Sequence, residues 1–350
     1  MAPSYWQQVH IHRMSNTDTP ARRTLNAEAL RFHACYLPAS QKAAALADPH
    51  TLAVFGFGVN ATTEAAPHWL QVPLVQHGAE RIEVWRGDTP TEQGRSGNVR
   101  WSRNETLLFA AIEVDEVDGQ IEAASALAYA ELSAFLAQSG YPHLLRAWNY
   151  LDAITDGEGD AERYRQFCLG RVRGLQVVDD NAMPAATCVG CHDGRRRVQV
   201  YWLASRDPGV PLENPRQVSA YAYPRQYGPQ SPSFARAMLP PLDTGLPLLQ
   251  SGTAAITGHA SQHLGLLLRQ FDEILVNLQS LIDNARLQRP ALAPRLGENS
   301  LLKVYVREAG DVDAVGNHLQ QLGVDASTYI VLHGEVCRAE LLVEIEGMHH

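Results

Sequence analysis

Positive charge is in short supply along this chain. Lys and Arg total 29 against 38 Asp and Glu, a net charge of −9 and a pI near 5.9 over 350 residues. That balance leaves no broad cationic surface and argues against nucleic acid as a partner; the basic clusters RRTL and GRRRV are short. Long apolar runs are missing too. None approaches the roughly 18 residues that a membrane-crossing helix needs, so no membrane partner is expected. The opening MAPSYWQQVHIHRMSN has no apolar core of the kind a secretory leader carries, and the expected location is cytoplasmic. Cysteine is sparse and odd in number, and five residues spread over this length do not suggest a disulfide framework. What remains, 45% hydrophobic and 19% charged, is an ordinary globular composition with length enough for two domains.

Two segments carry one order of elements. In the second, LLQSGTAAITG (248–258) reads as strand and turn, and a long helix follows with apolar residues from Leu264 and Leu268 through Phe271 and Leu275 to Ile282. That three-and-four spacing packs one helix face on a sheet. The alternating strand SLLKVYVRE comes next, then a short helix DVDAVGNHLQQLG that stops at Gly323, then the strands TYIVLHG and ELLVEIEG. In the first segment the same places are taken by LLFAAIEV, QIEAASALAYAELSAFLAQSG, HLLRAWNYLDAI, AERYRQFCLGRV, PAATCVGC and RRVQVYWLA. DPGVPLENP (207–215) punctuates the chain as a linker. The expected division is an N-terminal half with an extension, 1–208, and a C-terminal half, 209–350, that carries most of the site. Helices layered on a sheet face in each half make the expected class α+β.

Chemistry concentrates in VCRAELLVEIEG (336–347), read as one closing strand. Alternation puts Glu340, Leu342, Glu344 and Glu346 on one face and Leu341, Val343 and Ile345 on the other. Glu344 is then either part of a solvated acidic edge or a partly desolvated acid suited to proton donation. Two other motifs attract notice. Cys188-Val189-Gly190-Cys191-His192 satisfies the pattern for covalent haem attachment, but no distal ligand segment stands out and no second ligand pair suggests zinc. GFG in VFGFGVN lacks the further glycine of a dinucleotide fingerprint and reads as a strand end.

The stretches LRAWNYLDAI (145–154), ERYRQFCLGR (162–171), PAAT (184–187), SAYAYPRQYGPQSPSFARA (219–237), SGTAAITGHAS (251–261) and EVCRAELLVEIEG (335–347) resemble the chorismatases, with IEVWRG (82–87) a weaker match. The C-terminal half also resembles the small RidA/YjgF domain. The resemblance implies an α+β fold of two RidA/YjgF-like (chorismate-mutase-like) β-sheet/helix halves in tandem, and a monomer with a pseudo-repeat. It implies cleavage of the enolpyruvyl ether of chorismate, releasing pyruvate and 3-hydroxybenzoate, with 4-hydroxybenzoate as a further product. Two alternatives stay open: a hydrolytic enzyme leaving 3,4-dihydroxycyclohexadiene carboxylate, and a non-catalytic module that binds small carboxylates. No cofactor and no metal are expected.

By the same resemblance Glu344 is the acid that protonates the methylene, and Cys337 steers the product. A substrate with two carboxylates calls for arginines, whose planar guanidinium matches a carboxylate bidentately. The matched motifs offer Arg163 and Arg171 on the short helix, and Arg225 and Arg236 in a run otherwise poor in charge. Tyr223 and Tyr227 could pack on the ring or donate hydrogen bonds, or simply pack against prolines. Ser251, Gly252 and Thr253 offer hydroxyls and amides as a carboxylate cradle, or form a plain turn.

Overall fold

The computed structural model describes residues 31–60, 64–175, 182–297 and 299–350. The N-terminal region supplies β1 (Phe32–Pro38), α1 (Lys42–Ala47), β2 (Thr51–Phe57), β3 (Trp69–Val72), β4 (Val75–Gln76) and β5 (Arg81–Gly87). Then come β6 (Glu92–Ser96), β7 (Val99–Arg103), β8 (Leu107–Asp115), α2 (Ile121–Ser139), β9 (His143–Asp152), α3 (Arg163–Leu175), β10 (Ala185–Cys191) and β11 (Arg197–Ser205). The chain continues through β12 (Val210–Leu212), β13 (Ala237–Leu239), β14 (Leu248–Ala254), β15 (Ile256–Thr257), β16 (Ala260–Ser261) and α4 (Leu267–Arg286). It closes with β17 (Ser300–Val306), α5 (Val312–Gln321), β18 (Tyr329–His333) and β19 (Val343–His349).

The internal repeat is a repeat of topology. One sheet runs β10-β9-β11-β8 before its β7-β6 hairpin; another contains β18-β17-β19-β14. In each, the first pair is parallel and the next two pairs antiparallel. A parallel pair requires a crossover, which α3 supplies in one sheet and α5 in the other. β9 and β17 correspond so closely in register that Tyr150 and Tyr305, at equivalent places, meet hydroxyl to hydroxyl at 3.2 Å.

Three sequence expectations need correction. The closing strand begins at Val343; residues 336–342 form a loop that Arg307 pins through the carbonyls of Val336, Arg338 and Leu341. The linker 207–215 is partly β12, which pairs with β13. Leu264 precedes α4 and is exposed, and Leu268 points outward, so the apolar residues fully buried by the helix start at Phe271, after half-buried Leu267 and buried Gln270. A third sheet, β1-β5-β2-β3, was not legible as such, and β4 leaves that region to pair with β18.

Helices cover the outer faces while the inner faces of the three larger sheets meet around Phe55, Trp85, Phe109, Trp148, Tyr201 and Tyr305. Trp148 stacks on Tyr201 at 4.7 Å and lies 5.4 Å from Trp85. Each large side chain buried there contributes about 1.5–3 kcal/mol. Charge is buried with them. Lys303 of β17 sits 2.8 Å from Glu83 of β5 and 3.1 Å from Glu346 of β19, and Arg146 of β9 is 3.0 Å from Glu346. Two anions and two cations from four strands cancel, which fits a device that specifies how the sheets mate.

Candidate active site

β10 forms the edge of its sheet, and the C-terminal half is stitched along it. Ala235 N–H donates to the Pro184 carbonyl, and the Ser251 hydroxyl accepts from Ala186 N–H and donates to the Ala235 carbonyl; Gly190 and Glu335 exchange backbone hydrogen bonds. Along this seam opens a cavity of about 370 Å³. α3 and β10 line one side; β14, β19 and the loops carrying Tyr223 to Arg236 and Cys337 to Glu340 line the other. It is therefore built by both halves.

Glu344 lies in the cavity wall and is 5% exposed. Burial, and then the neighbouring negative charge of Glu346, push its carboxyl up from 4.5 to about 8. No hydrogen-bond partner among the described residues holds that carboxyl. Glu346, two residues on, goes the other way: despite burial, Lys303 and Arg146 together with hydrogen bonds from Thr187 and Trp148 hold it below the usual carboxylate range. Adjacent acids on one strand face are thus driven to opposite protonation states. Gly252 makes room for the arrangement. A Cβ there would stand 2.0 Å from Glu344 Oε1, so any larger residue would push the carboxyl from this position.

Arginines line the same cavity as the acid. Arg171 of α3 has Nε and Nη2 buried without a hydrogen-bond partner, Arg236 has Nε so placed, and Arg338 has Nη2. Arg236 Nη2 donates to the Tyr223 hydroxyl at 2.6 Å, and the Arg338 guanidinium lies 3.8 Å over the Tyr227 ring. Unsatisfied, desolvated guanidinium donors around one cavity favour an anionic ligand with more than one carboxylate. Cys337 and Cys168 also line it, both pushed up to about 12 mainly by burial, so these thiols stay neutral and space-filling.

The sequence-predicted residues divide accordingly. Glu344, Cys337, Arg171, Tyr223, Tyr227, Arg236 and Gly252 converge on the cavity. Four do not. Arg163 is buried, gripped by Glu116 at 2.5 and 3.0 Å and by the Asp152 carbonyl at 2.9 Å, so it anchors the start of α3. Arg225 is exposed and forms a fork with Asp160 at 2.5 and 2.9 Å. Ser251 spends its hydroxyl on the seam, and Thr253 Oγ1 donates back to the Ser251 carbonyl. Arg338, Phe167 and Cys188 line the cavity without having been proposed for it. Arg338 was hidden by reading 336–342 as strand.

The haem-like motif is splayed by its strand. Cys188 faces the cavity, whereas Cys191, three residues on, faces Asp193 from the other side. The two thiols cannot embrace one macrocycle. Asp152, Cys191 and Asp193 form the one group of three potential metal donors among the described residues, and Arg196 and Arg197 already pair with its carboxylates.

Residues 83–204 match the family model for the N-terminal part of FkbO/Hyg5-like chorismatases. A chorismatase of Streptomyces rapamycinicus is 36% identical over 274 residues, covering 76% of this chain and 81% of that protein. A 3-hydroxybenzoate synthase of Streptomyces hygroscopicus is 35% identical over 290 residues, covering 80% and 84% respectively. A chorismatase crystal structure superposes with a TM-score of 0.81 at 30% identity, covering 91% of this chain and 98% of that one. The chain belongs to the chorismatase family.

Proposed function

We propose that this protein cleaves chorismate to pyruvate and 3-hydroxybenzoate. The observation that carries the proposal is a buried Glu344, given room by Gly252 and with its carboxyl pushed up to about 8 mainly by burial, in a cavity lined by under-satisfied arginines. Family membership and the activities of the relatives support it.

Arg171, Arg236 and Arg338 hold the two carboxylates, while Tyr223 and Tyr227 lie against the ring. Glu344 delivers its proton to the terminal methylene of the enolpyruvyl ether, leaving an oxocarbenium centre next to the ether oxygen. The ring's own hydroxyl captures that centre and passes its proton to the ether oxygen, whose bond to the captured carbon breaks. The ring bond to the capturing oxygen then breaks, and that oxygen leaves as pyruvate's carbonyl. The former ether oxygen stays as the phenol, and the ring proton lost on aromatisation balances the one Glu344 supplied. No water is consumed. Had water captured the centre, one molecule would be taken up and a diene diol released. Neutral Cys337 favours the first course because it fills space without recruiting water.

No helix among the described residues is long and apolar enough to cross a membrane. All five cysteines are free, which supports a reducing, cytoplasmic setting. The division at 208/209 and a monomer with a pseudo-repeat belong to the same proposal. Mixing the purified protein with chorismate tests it: pyruvate is read by a coupled dehydrogenase and the ring product by chromatography. Binding without pyruvate release would overturn it in favour of a carboxylate-binding module.

A further inference from the structure

We propose that Glu346 is a positioning residue of this site: a buried anion that keeps the proton on Glu344 and, through Thr187, fixes Gly252 beside it. The inference rests on the chorismate-cleaving role given above to Glu344.

The geometry is a closed chain of contacts. Glu346 Oε1 accepts from Trp148 Nε1 at 2.8 Å and from Lys303 Nζ at 3.1 Å. Its Oε2 accepts from the Thr187 hydroxyl at 2.5 Å, with Arg146 Nη2 at 3.0 Å. The same Thr187 oxygen accepts from Gly252 N–H at 3.0 Å and from Arg146 Nη2 at 3.2 Å. A hydroxyl has one proton to give and two lone pairs, so Thr187 is saturated and its orientation determined. Gly252 is the residue whose missing Cβ leaves space for Glu344 Oε1. The anion is thereby tied to the acid twice, by strand spacing and by a hydrogen-bonded relay.

Other charged or titratable groups also face Glu344. Arg236, from the segment before β13, and Arg307, after β17, favour its ionised form. Tyr164 of α3, Cys188 of β10 and Cys337 of the loop interact with it and remain neutral. Glu346 is the negative charge opposing those two arginines. Side chains two apart on a strand are roughly 7 Å apart. At an effective dielectric near 20, one charge at that range moves a titration by about one to two pH units.

The test is the pH dependence of kcat/KM in Glu346→Gln. The alkaline limb should move acidward by about one to two pH units, giving a roughly 10- to 100-fold loss at pH 8.5 that is largely regained at pH 5.5. KM for chorismate at pH 5.5 should change little. Because the single substitution leaves Lys303 short of an anion, Glu346→Gln/Lys303→Gln removes one charge of each sign and should move the limb the same way. Thr187→Val keeps the anion and should lower kcat with the limb in place, and Thr187→Ser should restore it. A limb that stays at its wild-type position in both Glu346 variants, with activity reduced evenly at all pH values, would overturn the inference and leave Glu346 a structural tie. Failure of the wild-type protein to release pyruvate would instead remove the functional proposal beneath it.

Discussion

Replacing Glu344 by glutamine should destroy turnover and at the same time make the fold more stable near neutral pH. In the native chain burial pushes this carboxyl from 4.5 to about 8. Between those values the folded protein holds a proton that the unfolded chain releases. Raising the pH through that window therefore erodes wild-type stability, and the loss levels off above pH 8. Each pH unit is worth about 1.4 kcal/mol, so at pH 7 the destabilisation reaches about 3 kcal/mol. Glutamine has the shape of the protonated acid and does not titrate. At an unfolding entropy of about 2.1 cal/mol/K per residue, Glu344→Gln should melt about 4 °C higher at pH 7 and show no advantage at pH 4.

Thermal melts of both proteins at pH 4, 5.5, 7 and 8.5 measure the difference, in which all other titrations cancel. Pyruvate release by the variant should fall by about 10²–10⁴-fold, the range for loss of a general acid. The reasoning is refuted by a melting difference that does not change with pH, or by a variant less stable than wild type at pH 8.5. Either result would mean that Glu344 is ionised in the native protein and cannot deliver the proton.

Further outcomes follow from the same geometry. Arg171→Lys and Arg236→Lys should each raise the dissociation constant of a non-reactive dicarboxylate analogue by about 10- to 100-fold in calorimetry, since lysine cannot reproduce a fork at a desolvated site. Arg225→Lys should leave that constant unchanged, because its partner is surface Asp160. Gly252→Ala should lower turnover about 10²-fold with an unaltered circular dichroism spectrum, as the new methyl displaces Glu344 Oε1. Cys337→Ala should shift product toward the diene diol, read by chromatography, through water admitted beside the ring.

Local pattern made most of the two repeated units legible, because each strand and helix there alternates or repeats with its own period. β17 and α4 show this well: SLLKVYV alternates, and Phe271, Ile274, Leu275 and Leu278 repeat at helical spacing. The third sheet was not legible. β1 and β3 have weak alternation, and their pairing through β5 and β2 is wholly non-local. The site residues came instead from motifs that resemble the chorismatases, since alternation alone left Glu344 either on a solvated acidic edge or as a partly desolvated acid. The arginines show the limit. Arg225 stands alone in its own segment, but its countercharge Asp160 arrives from 65 residues away. Arg163 likewise meets Glu116 across 47 residues. Charge isolation along a chain says nothing about charge pairing in space.

One question remains within the repeat: why only one half carries the acid. By strand register Glu344 lies opposite Tyr305, and in the first half the residue opposite Tyr150 is Gln199. Likewise Glu346 opposite Lys303 answers to Tyr201 opposite Trp148. The first half thus has an amide and a phenol where the second has two carboxylates. Gln199 is also covered, for its amide donates to the Gln71 carbonyl of β3 at 3.0 Å and to Glu113 at 2.9 Å. The additional N-terminal sheet therefore occupies the inner face of the first half at the place where the second half opens to the cavity. Its Glu83 also supplies the anion that, with Glu346, surrounds Lys303. The N-terminal sheet closes one potential site and completes the charge balance of the other. Glu344→Gln gives the second half the residue that the first half already has, and on this argument it should leave two well-packed halves and no acid.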